Sequence, residues 1–142
     1  MVAQFEESSI RFKFPENWRL ERDETDGGWT VTVQSPDTAF LMLCLREDMP
    51  PTGEVADTAL EALREEYPEL EAEACVDSLG GQPAVGHDIR FFSLDLTNTA
   101  WIRSFYSTQG TVLLLCQFTD LESEKNEPVL RAMCASLELQ DE

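Results

Sequence analysis

The sequence has few of the residues and patterns that most enzyme chemistry requires. Its 142 residues include one histidine, His87, and four cysteines, none of which forms a CxxC pair. A zinc site would have to be assembled from distant parts of the chain, with one imidazole at most. Neither G-x-x-x-x-G-K-[ST] nor G-x-G-x-x-G occurs, so nucleotide binding has no support. We therefore expect no metal and no cofactor.

Long apolar runs are also missing. No segment approaches the ~18 apolar residues that span a bilayer. The first seven residues contain neither the basic nor the apolar part of a secretory signal. These absences predict a cytoplasmic protein that does not bind membranes. Disulfides are then not expected, and Cys44, Cys116 and Cys134, which lie in apolar segments, are expected to be small buried side chains.

Basic residues are scarce. The chain has 10 lysines and arginines against 28 aspartates and glutamates, a net charge of −18. Such a surface repels phosphate backbones and anionic headgroups, so we expect no nucleic-acid or membrane partner. A charged partner would be basic. The alternative is that the charge only keeps the protein soluble or reflects a salty habitat.

Alternation of apolar and polar residues, with period two, is the main structural signal in the chain. It predicts strands at 9–14, 18–24, 29–35, 39–46, 70–79, 83–96, 100–108 and 111–119. The segment 39–46 is apolar on both faces, which predicts a central strand covered on both sides. Helical periodicity predicts a helix over 54–67, which Pro68 ends, and another over 120–139. Asp120 is a candidate N-cap of the second helix, and Pro128 predicts a kink or restart.

Two hairpin turns, at Thr97-Asn98 and Gln109-Gly110, are predicted to set the register of the last three strands. One sheet face then carries Phe92, Leu94, Trp101, Phe105, Leu114, Cys116 and Phe118, together with Arg90 and Arg103. The other face carries Ile89, Phe91, Ile102, Tyr106, Leu113 and Leu115. Because both faces are largely apolar, both must be covered, which predicts a layered fold around an antiparallel sheet in one domain, residues 1–142.

Arg103 is the most informative single residue, because it is predicted to lie on an apolar face. A buried guanidinium would need a carboxylate partner. If the face is partly open, Trp101 and Arg103 are candidate contact residues for a partner. Arg90 on the same face and Trp29, after the Gly27-Gly28 turn, are further candidates. The alternative is a core tryptophan and an arginine that is satisfied within the fold.

Catalysis has little support in the sequence. His87 and Asp88 are neighbours in a predicted strand, so their side chains point to opposite faces and cannot form a dyad by themselves. No G-x-S-x-G elbow supplies a nucleophile. We expect no catalytic residues and no enzyme; a catalytic role would need another carboxylate within reach of His87, inside a cleft.

The chain resembles the PsbP/Mog-like superfamily, including its bacterial DcrB-like members. The resemblance rests on residues 12–18 (Phe-Lys-Phe-Pro-Glu-Asn-Trp), on 81–84 (Gly-Gln-Pro-Ala) with the three following strands, and on a last helix ending near 135–137. It implies an α+β fold, an α-β-α sandwich around an antiparallel sheet of about six to seven strands. Members bind proteins or serve as accessory subunits, and no shared catalytic site is implied.

Two functions are therefore expected. The first is a non-enzymatic protein-interaction or accessory module. The alternative is a small-molecule or lipid-binding domain with a pocket of ~300 Å³ or more beside the sheet, near Trp101 and Arg103.

Overall fold

The fold was analysed in a computed structural model that describes residues 1–140. Ten strands and two α-helices occur in this part of the chain. The strands are β1 (Val2–Glu7), β2 (Ile10–Pro15), β3 (Arg19–Thr25), β4 (Gly28–Gln34), β5 (Phe40–Arg46), β6 (Glu71–Leu79), β7 (Gln82–Ser93), β8 (Leu96–Ser107), β9 (Gly110–Thr119) and β10 (Glu138–Leu139). The helices are α1 (Thr52–Glu66) and α2 (Ser123–Ala135), and a short 3-10 turn, Asp120–Glu122, precedes α2. Neither helix is long and apolar enough to span a bilayer.

A seven-stranded antiparallel sheet forms the middle layer, in the order β3-β4-β5-β9-β8-β7-β6. This confirms the predicted antiparallel sheet of six to seven strands. β5 is an interior strand, but the expectation that both its faces are covered is only half right. Its Leu41, Leu43 and Leu45 are buried, whereas Phe40, Met42 and Cys44 are half-exposed. The reason is that α1 packs mainly against β7, β8 and β9.

Helix α1 covers one face of the sheet through its predicted apolar stripe. Ala56 and Leu60 of the helix pack with Ile89, Ala100 and Ile102 of the sheet. Just beyond the helix, Tyr67 stacks on Phe91 with ring centroids 4.1 Å apart. This face is the one predicted from the strand alternation.

The opposite face is covered by α2 and by a small antiparallel sheet with strand order β1-β2-β10. Phe12 of β2 and Leu130 of α2 are fully buried in the core between the layers, with Leu43 and Leu114 of the large sheet. The molecule is therefore an α+β sandwich with helix on both faces, as predicted. β1 and β10 were not predicted, because β1 carries only weak alternation and β10 is two residues long.

The two predicted hairpin registers are wrong, although the faces they gave are right. The first turn is Leu94-Asp95, with both residues at positive φ (54° and 62°), not Thr97-Asn98. Asp88 therefore lies opposite Trp101, and Gly86 opposite Arg103. In the second hairpin Ser107 pairs with Gly110, so the turn is Thr108-Gln109 instead of Gln109-Gly110 and each pairing partner lies two residues earlier than predicted. Both errors shift the pairing by an even number of residues, which leaves every side chain on its predicted face.

The last helix is shorter than predicted. It ends at Ala135 instead of Leu139, because Glu138 and Leu139 pair with Arg11 and Ile10 of β2. Asp120 makes no side-chain cap, and Pro128 lies inside α2 without a restart of the helix.

Gly86 is the position where we expect the strongest backbone constraint on the sheet. A Cβ built there would lie 1.7 Å from the carbonyl oxygen of Ile102 on β8. We predict that Gly86→Ala lowers the free energy of unfolding by about 2–3 kcal/mol, because the two strands must move apart. Urea unfolding followed by circular dichroism measures this change.

The matched control is Gly53→Ala in the first turn of α1, where a Cβ meets nothing within 4 Å. Alanine there should leave stability unchanged or raise it by up to about 1 kcal/mol, because it favours the helix. Equal effects at Gly86 and Gly53 would contradict the prediction.

Candidate functional site

The two covering layers leave the β6 end of the large sheet open. β6 is an edge strand, and seven of its nine residues are exposed. Phe92 and Leu94, at the neighbouring β7–β8 turn, are 76% and 92% exposed. We call β6, Phe92 and Leu94 together the open edge. Three of the four predicted contact residues, Arg90, Trp101 and Arg103, border it.

Arg103 lies where the open edge meets the covered core. Its side chain is only 12% exposed. Nη2 donates to Oδ1 of Asp88 at 2.8 Å, Nη1 donates to the carbonyl of Ile102 at 2.9 Å, and Nε lies 3.5 Å from Oδ2 of Asp77. Burial lowers the pKa of Arg103, but the hydrogen bond and charge of Asp88 outweigh it, so the pKa is raised overall. The carboxylate partner that a buried Arg103 was predicted to need is therefore present.

Trp101 is the aromatic side chain of this region. It is half-buried, and its ring meets Phe118 edge to face at 5.4 Å between centroids. The guanidinium carbon of Arg131, on α2, lies 4.6 Å from the centre of the Trp101 ring. Arg131 also donates through Nε to Glu127 at 2.9 Å. The exposed side of Trp101 is thus covered by a cation, an arrangement that stabilises the ring and charge together.

Two adjoining hollows open beside these residues. The Arg103 cavity, of about 300 Å³, lies between α2 and the sheet. Its lining includes Asp77, Asp88, Trp101, Arg103, Arg131 and Cys134. The acidic groove, of about 510 Å³, runs along β6 and β7 and is bordered by Glu71, Glu73, Asp88, Arg90, Trp101, Glu127 and Arg131. Asp88, Trp101 and Arg131 line both, so the two form one continuous depression.

Three of the four predicted contact residues meet at this depression, and one does not. Trp101, Arg103 and Arg90 line it. Trp29 does not lie on any contact surface: it is 3% exposed, packs against Phe5 and donates its indole N–H to Ser8. The expectation for Trp29 was wrong because β1, which covers it, was not predicted.

Two residues of the site were missed in the sequence, Asp77 and Arg131. The pairing of β6 with β7 places Asp77 opposite Ala84. This register, which was not predicted from the sequence, puts Asp77 on the same face as Arg103. Arg131 follows Glu127 by four residues on α2, the spacing of a helical ion pair. That spacing was the one signal that could have placed Arg131 on the exposed side of the helix.

His87 and Asp88 do point to opposite faces, as predicted. Asp88 binds Arg103, whereas His87 Nε2 lies 3.0 Å from Oδ1 of Asp57 on α1. Asp57 is largely exposed, and the shallow hollow beside the pair is lined mainly by glycine, alanine and valine. Within residues 1–140 no cluster of three or more histidine, cysteine, aspartate or glutamate side chains could hold a metal ion. The contact between His87 and Asp57 connects β7 to α1, and we assign the two residues no catalytic role.

Loss of the Arg103 partner should cost stability. We predict that Asp88→Asn lowers the free energy of unfolding by about 1–2 kcal/mol, because a largely buried guanidinium loses its closest anionic acceptor. Asp48→Asn is the matched control, since Asp48 pairs with Arg46 at 3.0 Å on the exposed surface. That change should cost less than about 0.5 kcal/mol. Urea unfolding of both variants at one salt concentration measures the difference, and equal losses would refute it.

Comparison with known proteins gives structural matches and no sequence matches. No protein-family model matches the chain, and no curated protein does. Cyanobacterial PsbP (CyanoP) from Synechocystis sp. PCC 6803 has a similar structure, with a TM-score of 0.69 and 11% identity over 98% of this chain and 92% of that chain. PA94 from Pseudomonas aeruginosa, a protein of unknown function, gives 0.59 and 11% over 99% of each chain.

A third similar structure is LpqN of Mycobacterium tuberculosis, which is involved in cell envelope biogenesis. Its TM-score is 0.56, with 14% identity over 99% of this chain and 91% of that chain. Identities this low show a shared fold and carry no information about activity. The chain has the PsbP-like fold that its sequence resembles.

Proposed function

We propose that this protein is a non-enzymatic interaction module that binds a basic, extended segment of a partner protein along β6. The observation that carries the proposal is the exposure of β6 on both faces, at an edge of a sheet whose centre is covered. An edge strand presents free backbone N–H and C=O groups, which an extended peptide can pair with as an added strand.

The side chains of β6 specify the kind of segment that fits. Glu71, Glu73 and Asp77 lie on the face that carries Arg103, and Ala72, Ala74 and Val76 lie on the other. A partner strand that alternates basic and apolar residues would place each type beside its complement. The acidic groove adds negative charge beside β6, from Asp88 of β7 and Glu127 of α2.

β6 lacks two of the features that close sheet edges in many proteins. Its nine residues contain no proline and no lysine. The opposite edge strand, β3, also contains no proline or lysine, but it carries two arginines, and these pair with Glu7, Glu21 and Glu24. Charge therefore favours β6 over β3 as the binding edge for a basic segment.

Exposed apolar side chains also favour the open edge as a contact site. Val76, Phe92 and Leu94 are each more than three-quarters exposed. Exposed apolar side chains grouped beside polar ones are typical of protein contact sites. The free thiols of the chain fit a reducing compartment such as the cytoplasm.

The proposal predicts binding of a synthetic peptide of alternating lysine and valine, measured by isothermal titration calorimetry. The double variant Glu71→Lys/Glu73→Lys should weaken binding by about tenfold or more, because both charges beside the added strand are reversed. Glu21→Lys/Asp23→Lys on β3 is the matched control, with the same change in net charge at exposed positions. It should change binding by less than about twofold.

Two further peptides separate strand addition from general attraction between charges. A peptide with N-methylated amides keeps its charges but cannot pair with an edge strand, and should not bind. A peptide with glutamate in place of lysine should not bind either. Equal weakening by the β6 and β3 variants, or binding of the methylated peptide, would overturn the proposal.

A second candidate function rests on the Arg103 cavity, whose volume of about 300 Å³ reaches the size expected for a small-molecule site. Its charged lining suits a small polar molecule better than a lipid chain. Asp77 and Asp88 are balanced by Arg103 and Arg131, so a cationic ligand would bind by taking the place of Arg131 over the aromatic face of Trp101.

Binding of a small cation would place it against Trp101 in competition with Arg131. Choline is a suitable probe, and NMR spectra of the Trp101 indole N–H should shift on its addition in the wild type. The Arg131→Gln variant should bind choline more tightly, because the competing cation is gone. Absence of any shift at millimolar choline in both proteins would reject this second function.

A further inference from the structure

Two cysteine thiols face each other across the junction of α2 and the sheet. Sγ of Cys116 on β9 lies 3.9 Å from Sγ of Cys134, the penultimate residue of α2. Cys116 is fully buried, whereas Cys134 is half-exposed and lines the Arg103 cavity. The pair therefore combines one thiol that solvent can reach with one that solvent cannot.

We propose that Cys116 and Cys134 form a peroxide-reactive pair, in which Cys134 is oxidised first and Cys116 then closes a disulfide. Access gives the order of the two steps, because a small peroxide can enter the cavity and meet Cys134 only. Proximity gives the second step, because the thiol of Cys116 is the nearest sulfur and is held against Cys134 by the core.

The electrostatic surroundings support the same order. The hydrogen bond from the Cys116 thiol lowers the pKa of Cys134 against the effect of its burial, and the charges of Arg103 and Arg131 lower it further. Burial raises the pKa of Cys116 well above its ordinary value. A thiolate is the reactive form of cysteine, so Cys134 is the better nucleophile of the two at neutral pH.

The chemistry balances with hydrogen peroxide as the oxidant. The Cys134 thiolate attacks one peroxide oxygen, the O–O bond breaks, hydroxide leaves and a sulfenic acid forms on Cys134. Cys116 then loses its proton, and its sulfur attacks Sγ of Cys134 while the S–O bond breaks and water leaves. Two thiols are oxidised to one disulfide, and the peroxide is reduced to two molecules of water.

The second step requires a small movement of α2. A disulfide has its sulfurs about 2.05 Å apart, so the 3.9 Å separation must shorten. Cys134 lies in the last turn of α2, and the residues after it are hydrogen-bonded to Lys13 and paired with β2. The approach therefore requires rotation of the two cysteine side chains together with a small shift of that turn.

The test uses a Cys44→Ser/Cys75→Ser variant, so that only the proposed pair remains. Intact mass spectrometry after treatment with hydrogen peroxide should show the loss of two hydrogen atoms, with peptide mapping placing the bond between Cys116 and Cys134. The folded protein should form this bond at least about tenfold faster than the same protein in urea, because the fold holds the sulfurs together.

Single variants then assign the steps. Cys116→Ser should accumulate a sulfenic acid at Cys134 that dimedone labels, and Cys134→Ser should leave Cys116 unreacted. The pH dependence of alkylation by iodoacetamide gives an independent readout. In the wild type, Cys134 should react from a lower pH than Cys75, whose pKa burial raises.

The proposal would be overturned if peroxide gives no Cys116–Cys134 disulfide in the folded protein. It would equally be overturned if Cys44 or Cys75 of the wild type is oxidised as fast as Cys134, or if the rate in urea equals the rate in the folded state.

Discussion

The middle of the large sheet is apolar on both faces, and the rest of the structure depends on how those faces are covered. β9 places Val112, Leu114 and Cys116 on one face and Leu113 and Leu115 on the other. Burying one such side chain contributes about 1.5–3 kcal/mol. In the described part of the chain, the two helices and the small sheet cover these faces. They lie over the centre of the large sheet because the apolar side chains there gain most from burial.

The open edge follows from the same constraint. β6 offers glutamates, an aspartate and alanines, whose burial would stabilise the fold little or would cost free energy. The layers therefore stop at β7 and β8. Arg103 lies at that boundary, where its stem is buried and its guanidinium reaches Asp88, Asp77 and a backbone carbonyl. The boundary produces the cavity, and the cavity gives Cys134 its access to solvent.

The sequence predicted the faces of the sheet better than its pairing. Side-chain alternation has period two, so errors of two or six residues in register left Arg103 and Trp101 on the correct face. The turn itself was missed because Leu94-Asp95 lacks the glycine or asparagine typical of such turns. Helix α1 was predicted closely, since helical periodicity and the end signal of Pro68 agree there.

Other features depend on contacts between distant parts of the chain, which local patterns do not encode. β10 becomes a strand only because β2 is beside it, and β1 in turn buries Trp29. Asp77 and Arg131 reach the site from β6 and α2, and nothing near either residue marks it as a neighbour of Arg103. The 3.9 Å approach of Cys116 and Cys134 has the same origin, since the two are far apart until α2 folds back on β9.

The acidic side of β6 has a consequence for how copies of this protein meet one another. If two β6 strands paired antiparallel about Cys75, Glu73 of one copy would lie opposite Asp77 of the other, and like charges across strands repel. These charges oppose pairing of β6 with β6 of a second copy, although the backbone N–H and C=O groups at the edge stay free. That discrimination is electrostatic, so it weakens in concentrated salt or once the carboxylates are protonated. Under those conditions an edge without proline or lysine can pair with β6 of a second copy, and this two-fold contact closes a dimer.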